Sequence, residues 1–185
     1  KTWKDVNPAL PANRIEELHL DRRGVLWVAT TLGLAAWRDH RLAPVDLGVA
    51  DGVRVRALAE DDESRLWIGT DRGVVVLENG RFQPRSAGGA EPLVYDLLVE
   101  PEGVLAVTDR GLVRFGAAGG ATELPGPPAP PGSLRAAART GDGLWVGTAG
   151  DGVFRLDDGG WRAPAPAELP ARRISRLVLG RSGTL

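Results

Sequence analysis

The sequence contains no cysteine, which excludes a disulfide framework and thiolate chemistry. It contains only two histidines, fewer than the three or four protein ligands that a zinc site usually gathers. It has no excess of either charge: 23 basic and 24 acidic residues give a net charge of −1, so neither a nucleic-acid surface nor an anionic-membrane surface is indicated. No apolar run approaches the roughly 18 residues of a membrane-spanning helix. These absences favour a globular domain with no expected metal, cofactor, nucleic-acid partner or direct membrane insertion.

The most informative feature that is present is a phrase that recurs along the chain. Its leading leucines are Leu26, Leu66, Leu105 and Leu144, at intervals of 40, 39 and 39 residues, and Leu185 stands 41 residues further on. A fixed period of about 40 residues marks a repeat architecture, in which each unit buries its apolar faces against its neighbours.

Each repeat contains four short apolar runs separated by turn residues. The runs are about four to eight residues long, with Gly, Asp, Asn and Pro between them, which is typical of strands. The pair Asn79-Gly80 favours a two-residue hairpin, because both central positions of that turn need positive φ. No segment shows the three-and-four spacing of an amphipathic helix without an interrupting glycine or proline. Four strands in about 40 residues predict a β-propeller, whose rings commonly hold roughly 4–8 blades.

We therefore predict an all-β fold: a β-propeller segment with four complete four-stranded antiparallel blades and a partial blade at each end, within a larger ring of about seven blades. The predicted units of this single segment are a partial blade at 1–9, repeats at about 10–48, 49–88, 89–128 and 129–168, and a partial blade at 169–185. Because both terminal blade faces would then be open, we expect the remaining blades of the same ring, or another subunit, to cover them.

The repeat has a consensus that can be written out. It reads Ile-x-x-Leu-x-x-Asp-x-x-Gly-x-Leu-Trp-[Val/Ile]-[Ala/Gly]-Thr-x-x-Gly-Leu. Residues 15–34 match it closely, and residues 55–74 match it apart from Ser64 and Val74. This consensus resembles the two-component regulator propeller repeat.

The other two copies depart from the consensus. In the third copy, residues 94–112, we read Ala106 in place of the Trp and one residue deleted before Thr108. The fourth copy, residues 134–153, has a shortened first turn and one extra residue in the stretch 148–152. The resemblance nevertheless covers essentially the whole chain, with the copies in register.

The resemblance implies the extracytoplasmic sensor part of a bacterial receptor, whose output is a histidine kinase, a diguanylate cyclase or a DNA-binding domain. It implies a non-catalytic, periplasmic or otherwise extracytoplasmic propeller that recognises a ligand, a saccharide being one candidate, and passes binding to that output. The alternative is a scaffold or protein-interaction propeller without a small ligand. A propeller lyase is the third reading, for which His19 is the remote catalytic candidate.

The candidate ligand-binding residues are polar side chains that differ from repeat to repeat near the start of each inner strand. The inner strands of a propeller start near the mouth of its central funnel, so these side chains should converge there, as in a pocket with a few placed polar groups. They are Glu16, Glu17, Arg56, Tyr95, Asp96, Arg135 and Arg176. The alternative is a hydrated channel entrance that binds no ligand.

Two further features are interpreted as structural. The acidic clusters Asp61-Asp62-Glu63 and Asp157-Asp158 lack the spacing of a calcium loop and are read as solvated turns. Tryptophans recur at one position of the repeat and are read as packing between blades, since aromatic side chains bury large areas. They are Trp27, Trp67 and Trp145.

Replacing Trp67 by Ala should lower the free energy of unfolding by about 3–5 kcal/mol, the usual range for deleting a large aromatic side chain from a core. Equilibrium unfolding in urea measures the change. A loss below about 0.5 kcal/mol, typical of surface positions, would contradict the packing role.

Overall fold

The computed structural model describes residues 9–89, 91–116, 119–130, 132–163 and 173–179. Those ranges contain strands and turns and no α-helix, and therefore no helix long and apolar enough to span a membrane. The strands of the first two sheets are β1 (Ile15–Leu20), β2 (Leu26–Thr30), β3 (Gly33–Arg38), β4 (Arg41–Val45), β5 (Val55–Glu60), β6 (Leu66–Thr70), β7 (Gly73–Glu78) and β8 (Arg81–Arg85). Those of the other two are β9 (Val94–Glu100), β10 (Gly103–Thr108), β11 (Gly111–Phe115), β12 (Ala121–Leu124), β13 (Leu134–Thr140), β14 (Gly143–Thr148), β15 (Val153–Asp157) and β16 (Gly160–Arg162).

Each set of four consecutive strands forms one four-stranded sheet in sequence order. This up-and-down arrangement is the blade of a β-propeller, so the predicted all-β fold with four complete blades is confirmed. The chain divides into two compact units, Lys1–Val94 and Tyr95–Leu185. The ring of about seven blades stays a prediction. The predicted partial blades at 1–9 and 169–185 lie mostly outside the described residues.

The core of the first unit lies between its two blades. One face of β2 and β3 and the facing side of β5, β6 and β7 share a single apolar cluster. Trp27 belongs to this cluster, and its ring meets the edge of Phe82 on β8 at a centroid distance of 6.5 Å. The predicted packing of a tryptophan between adjacent blades is therefore confirmed for Trp27. Trp67 is also buried, with 2% of its surface exposed, whereas Trp145 is only half-buried, contrary to our expectation.

The second unit has an equivalent cluster with different side chains. Leu105 and Val107 of β10 share it with Leu134, Leu144 and other apolar residues of the fourth blade. Trp161 on β16 packs against this cluster at the strand position that Phe82 holds on β8. The third blade thus has a smaller residue at the tryptophan position, and the fourth blade has a larger one at the phenylalanine position.

The strand register corrects our reading of the third repeat. Thr108 pairs with Gly111 as Thr30 pairs with Gly33, and counting back from this point puts Leu105 opposite Arg114. Leu105 therefore occupies the tryptophan position. The predicted substitution by Ala106 and the predicted deletion before Thr108 were both wrong, because the missing residue lies in the first turn. The extra residue predicted in the fourth copy is confirmed, since Gly147 pairs with Val153 across a longer turn.

The shortened first turn needs glycine where it re-enters the sheet. Gly103 and Gly143 end these turns in the third and fourth blades with φ of 136° and 149°. A Cβ on Gly103 would collide with the carbonyl oxygen of Phe115, and one on Gly143 would collide with that of Leu156. The first turn can therefore be one residue shorter only if glycine, which has no Cβ, stands at its last position.

Replacing Gly103 by Ala should destabilise the fold more than replacing Gly111 by Ala. Gly111 has nearly the same φ, 137°, but no atom lies within 4 Å of the Cβ position. Gly111→Ala therefore carries only the conformational strain, about 1–3 kcal/mol, while Gly103→Ala also displaces a strand carbonyl. Urea unfolding of both variants tests this. Equal losses would show that the backbone conformation alone decides the cost.

Candidate functional site

The first turn of each blade in the first unit is organised by a carboxylate. Asp21 accepts hydrogen bonds from the backbone amides of Arg23 and Val25, and from Nε1 of Trp27 at 2.9 Å. Asp61 does the same in the second blade, with Nε1 of Trp67 at 2.7 Å. The spacing Asp-x5-Trp in the repeat thus reflects one bond that fixes the turn and the buried ring together.

Asp61 is buried, so our reading of its cluster as a solvated turn was wrong at this residue. Burial by itself would raise the pKa of the Asp61 carboxyl. The hydrogen bonds from Trp67 and Arg65 and the charge of Arg65 outweigh that effect and hold the pKa below its ordinary value of 3.8. Arg65 lies 2.7 Å from the carboxylate and over the Trp67 ring. The Asp61 carboxylate therefore holds the turn and the Trp67 ring in place, and Arg65 neutralises its charge.

The second unit replaces this arrangement. Glu100 stands at the position of Asp61, and its buried carboxylate accepts hydrogen bonds from Arg114 and Arg139. These two guanidinium groups supply the hydrogen-bond donors, because Leu105 has no indole nitrogen to donate. In the fourth blade the hydroxyl of Thr140 accepts the hydrogen bond from Nε1 of Trp145, at 2.9 Å.

The threonine that ends the recurring phrase closes the second turn. Its hydroxyl donates to a glycine carbonyl at 2.9 Å and accepts an amide hydrogen from within the turn in every blade. These residues, which are all buried, are Thr30, Thr70, Thr108 and Thr148. The repeated residues are therefore accounted for by folding, and function must be sought in the residues that vary.

Three of the predicted ligand-binding residues occupy one special backbone position. The first strand of the blade has a register shift between Ile15 and Glu17, between Val55 and Ala57, and between Leu134 and Ala136. The extra residue of each bulge is Glu16, Arg56 or Arg135. A bulge takes its residue out of the regular alternation of faces and re-aims the side chain, which is why bulges are frequent beside functional sites.

The bulges lie at the end of the blade that carries the second turn and the long loop. The amide of Asp71, in the second turn, donates to the carbonyl of Arg54 just before β5, and Ala149 donates likewise to Ser133 before β13. In the first unit the same end contains a cleft of about 330 Å³. Its lining comes from Leu32 and Gly33 and from the loop after β4. The sequence pattern does not reveal this cleft.

In the first unit the predicted site residues are largely engaged with the protein. Glu16 accepts a hydrogen bond from Arg54 at 2.6 Å and lies 3.1 Å from Arg14. Glu17 accepts a hydrogen bond from the amide of Leu58 in the next blade, at 2.7 Å. Arg56 is half-buried and interacts with its surroundings. Glu17 therefore links two blades.

In the second unit the structure brings four predicted site residues together. The guanidinium of Arg135 lies over the ring of Tyr95, 4.1 Å from its centroid. Asp96 accepts hydrogen bonds from the amides of Leu97 and Ala137, the second at 2.9 Å, and so links two blades as Glu17 does. Burial raises the pKa of Asp96, while those hydrogen bonds and the charge of the exposed Arg176 oppose the rise.

Both histidines lie away from the bulges of the first strands. His19 lies on β1 with Nε2 3.9 Å from a carboxylate oxygen of Glu60. His40 is exposed in the turn between β3 and β4, at the end of the blade opposite to the bulges. No group of three or more metal-ligating side chains occurs in the described part of the chain.

Replacing Asp61 by Asn should lower stability at neutral pH by about 1–3 kcal/mol, because a charge-assisted hydrogen-bond set is lost. The folded pKa lies below 3.8, so between the two pKa values the native state binds fewer protons than the unfolded chain. The stability that this carboxylate contributes is therefore complete above about pH 4 and is lost as the pH falls through the folded pKa.

Urea unfolding of the wild type and Asp61→Asn between pH 7 and pH 2.5 tests this prediction. The gap in stability between them should narrow with acid, whereas Asp62→Asn, in the same turn but exposed, should follow the wild type throughout. A gap that is constant across the pH range would contradict the role assigned to the Asp61 charge.

Comparison with known sequences agrees with the repeat pattern. Residues 49–72 match the family model "Two component regulator propeller". No curated protein matches the chain. The matched segment spans the start of the second blade, including Arg56, Asp61 and Trp67.

Comparison with solved structures finds the same fold. The chain is similar to the extracellular domain of BT3049 from B. thetaiotaomicron, named as a hybrid two component system, with 18% identity and a TM-score of 0.81 over 96% of this chain and 26% of that chain. A second similar structure is the extracellular domain of BT4673 from the same organism, named as a one component system, with 17% identity and a TM-score of 0.78 over 92% and 25%.

A catalytically inactive virginiamycin B lyase from Staphylococcus aureus, with quinupristin, is similar at 14% identity and a TM-score of 0.68 over 85% of this chain and 59% of that chain. At these identities the likeness shows the β-propeller fold. The chain spans about a quarter of the length of the two B. thetaiotaomicron structures. The resemblance drawn from the sequence is thus confirmed at residues 49–72, which match the two-component regulator propeller repeat, and the chain has a β-propeller fold.

Proposed function

We propose that this chain is the non-catalytic sensory part of a bacterial signal-transduction receptor. In this proposal it lies outside the cytoplasm, recognises a ligand at the loop-bearing ends of its blades, and passes binding to a kinase, cyclase or DNA-binding output. The repeat match at residues 49–72 supports the proposal, and so do two similar structures that are named as extracellular domains of regulatory systems.

The observation that carries the proposal is the contrast between the two kinds of position in the blade. The closing threonine and the apolar contacts recur in all four blades, and the turn carboxylate recurs in three of them; these features hold the scaffold. The bulge residue lies outside the regular alternation of the strand, and it is Glu16 in the first blade but Arg56 and Arg135 in the second and fourth. Variable polar residues on a rigid frame, beside long loops, are typical of recognition surfaces.

The proposal also includes a packing partner for the exposed leucines of β1. Leu18 on β1 is 59% exposed, although its equivalent on β5, Leu58, is 6% exposed because it packs in the interblade cluster. Leu20 on the same strand is exposed as well. In our proposal a further blade of the ring, or of another subunit, covers these leucines as the first blade covers Leu58.

Cysteine labelling in intact cells tests the extracytoplasmic location. The chain has no cysteine of its own, so a single Asp62→Cys substitution, at a side chain that is 99% exposed, introduces one accessible thiol. With the chain expressed within its own gene, a small membrane-impermeant maleimide should label this variant before cells are lysed. Val76→Cys, at a fully buried position, is the control and should stay unlabelled while the protein is folded.

The outcomes separate the candidate functions. Labelling of Asp62→Cys in intact cells, with no label on the wild type, supports the sensory proposal. Labelling only after lysis would overturn the extracytoplasmic location and would favour a scaffold or interaction propeller inside the cell.

A further inference from the structure

The bulge residue of the fourth blade, Arg135, differs from other arginines in its electrostatic surroundings. Five other half-buried arginines lie beside a carboxylate that neutralises them: Arg54 with Glu16, Arg65 with Asp61, Arg85 with Glu78, Arg114 with Glu100 and Arg155 with Asp142. Arg135 is equally half-buried, but no carboxylate of the described residues forms an ion pair with it. Its charge is therefore left to solvent or to a ligand.

The protein holds this guanidinium in one orientation. Its Nη1 donates to the carbonyl oxygens of Gly132 and Leu134, at 2.7 and 2.6 Å. The Tyr95 ring lies under its plane, 4.1 Å from the centroid. No described residue accepts a hydrogen bond from Nε or Nη2, so these donors form an uncommitted edge. Because Nη1 and the face of the guanidinium are held, the donors on Nε and Nη2 are already fixed in position. A ligand that binds them therefore costs little further side-chain entropy.

Two other predicted site residues of the same unit do not compensate this edge. Asp96 uses one carboxylate oxygen for the amide of Leu97 and the other for the amide of Ala137. The exposed Arg176 interacts with Asp96 and adds a second positive charge to the cluster. Asp96 and Arg176 therefore do not neutralise the charge of Arg135.

We propose that the uncommitted edge of Arg135, beside Tyr95, receives a carboxylate group of the ligand. A planar guanidinium and a planar carboxylate form two parallel charge-assisted hydrogen bonds, a geometry that a point charge does not reproduce. The inference rests on the proposed ligand-recognition function and gives that ligand a chemical class. A sugar acid and a peptide C-terminus both present this group.

The chain supplies its own reporter for the test. Tyr95 is the single tyrosine of the sequence, so ring-¹³C-tyrosine gives one set of NMR signals from the ring that contacts Arg135. The probes are two matched pairs: trigalacturonate with neutral trigalactose, and N-acetyl-alanyl-alanine with its neutral C-terminal amide. Titration of the folded chain with each probe yields the shift of the Tyr95 signal and the dissociation constant.

We expect the acid of at least one pair to move the Tyr95 signal and to bind about tenfold more tightly than its neutral partner. Which pair responds distinguishes the sugar acid from the peptide terminus. Arg135→Gln should remove about that factor of ten, and Arg135→Lys should restore only part of it because the fork is lost. Arg38→Gln, which removes an exposed charge from the opposite end of a blade, should bind like the wild type.

Several results would overturn the inference. These are equal binding of the acid and neutral forms, a Tyr95 signal that no acid moves, or undiminished binding by Arg135→Gln. The wild-type comparison of acid with neutral probe needs no variant, so it decides the matter even if Arg135→Gln unfolds. A neutral probe that binds as tightly as its acid would exclude the carboxylate site without contradicting the sensory function. Cysteine labelling tests that function separately.

Discussion

The packing of one blade against the next is the constraint on which the rest of this protein depends. All five residues of β6 are buried, and Leu66 and Ile68 among them pack in the cluster shared with the first blade. A single sheet cannot do this for itself, and a blade is therefore stable only beside a neighbour. The recurring tryptophan serves this contact in the first unit, where Trp27 meets Phe82. In the second unit Leu105 stands at the position of Trp27 and Trp161 at the position of Phe82, and both belong to the same packing region.

A buried contact of this kind needs its ring held in one orientation. The carboxylate of the first turn holds the ring by accepting a hydrogen bond from the indole nitrogen. The same carboxylate also accepts hydrogen bonds from backbone amides of the turn, which would otherwise be unsatisfied. Where the indole is absent, as at Leu105, a buried carboxylate is still present at Glu100 and arginines become its donors. The carboxylate of the turn is thus retained in three blades even though the groups that satisfy it change.

The geometry of the first strand also explains at which position the residue type can vary between blades. A residue in the regular part of the first strand must fit one blade face or the other, whereas a bulge residue fits neither. Glu16, Arg56 and Arg135 can therefore differ in charge without disturbing the packing between blades. Arg135 is held by two carbonyls and an aromatic ring and keeps part of its donor set unused, which is the state expected of a preorganised recognition group.

Much of the fold follows from the sequence, because the period, the turn residues and the strand lengths are local properties that recur. The third repeat shows the limit of such reasoning. The letters Leu-Ala-Val align with Leu-Trp-Val on the leading leucine, and only the strand register shows that Leu105 holds the tryptophan position. A one-residue deletion in a turn and one in a strand look alike in the sequence. Pairing distinguishes them, because a shift of one residue would turn every side chain to the other face.

The sequence by itself determined that the chain is built of four-stranded repeats and that polar residues vary at the start of the first strands. Only the tertiary structure decided what those polar residues do. Glu17 and Asp96 looked like members of a binding site, yet their carboxylates accept backbone amides of the next blade, at Leu58 and Ala137. Arg135, in contrast, has a charge that the described residues do not neutralise. The physical reason is that a side chain's partners lie about 40 residues away in the sequence, where no local pattern can specify the geometry of a hydrogen bond.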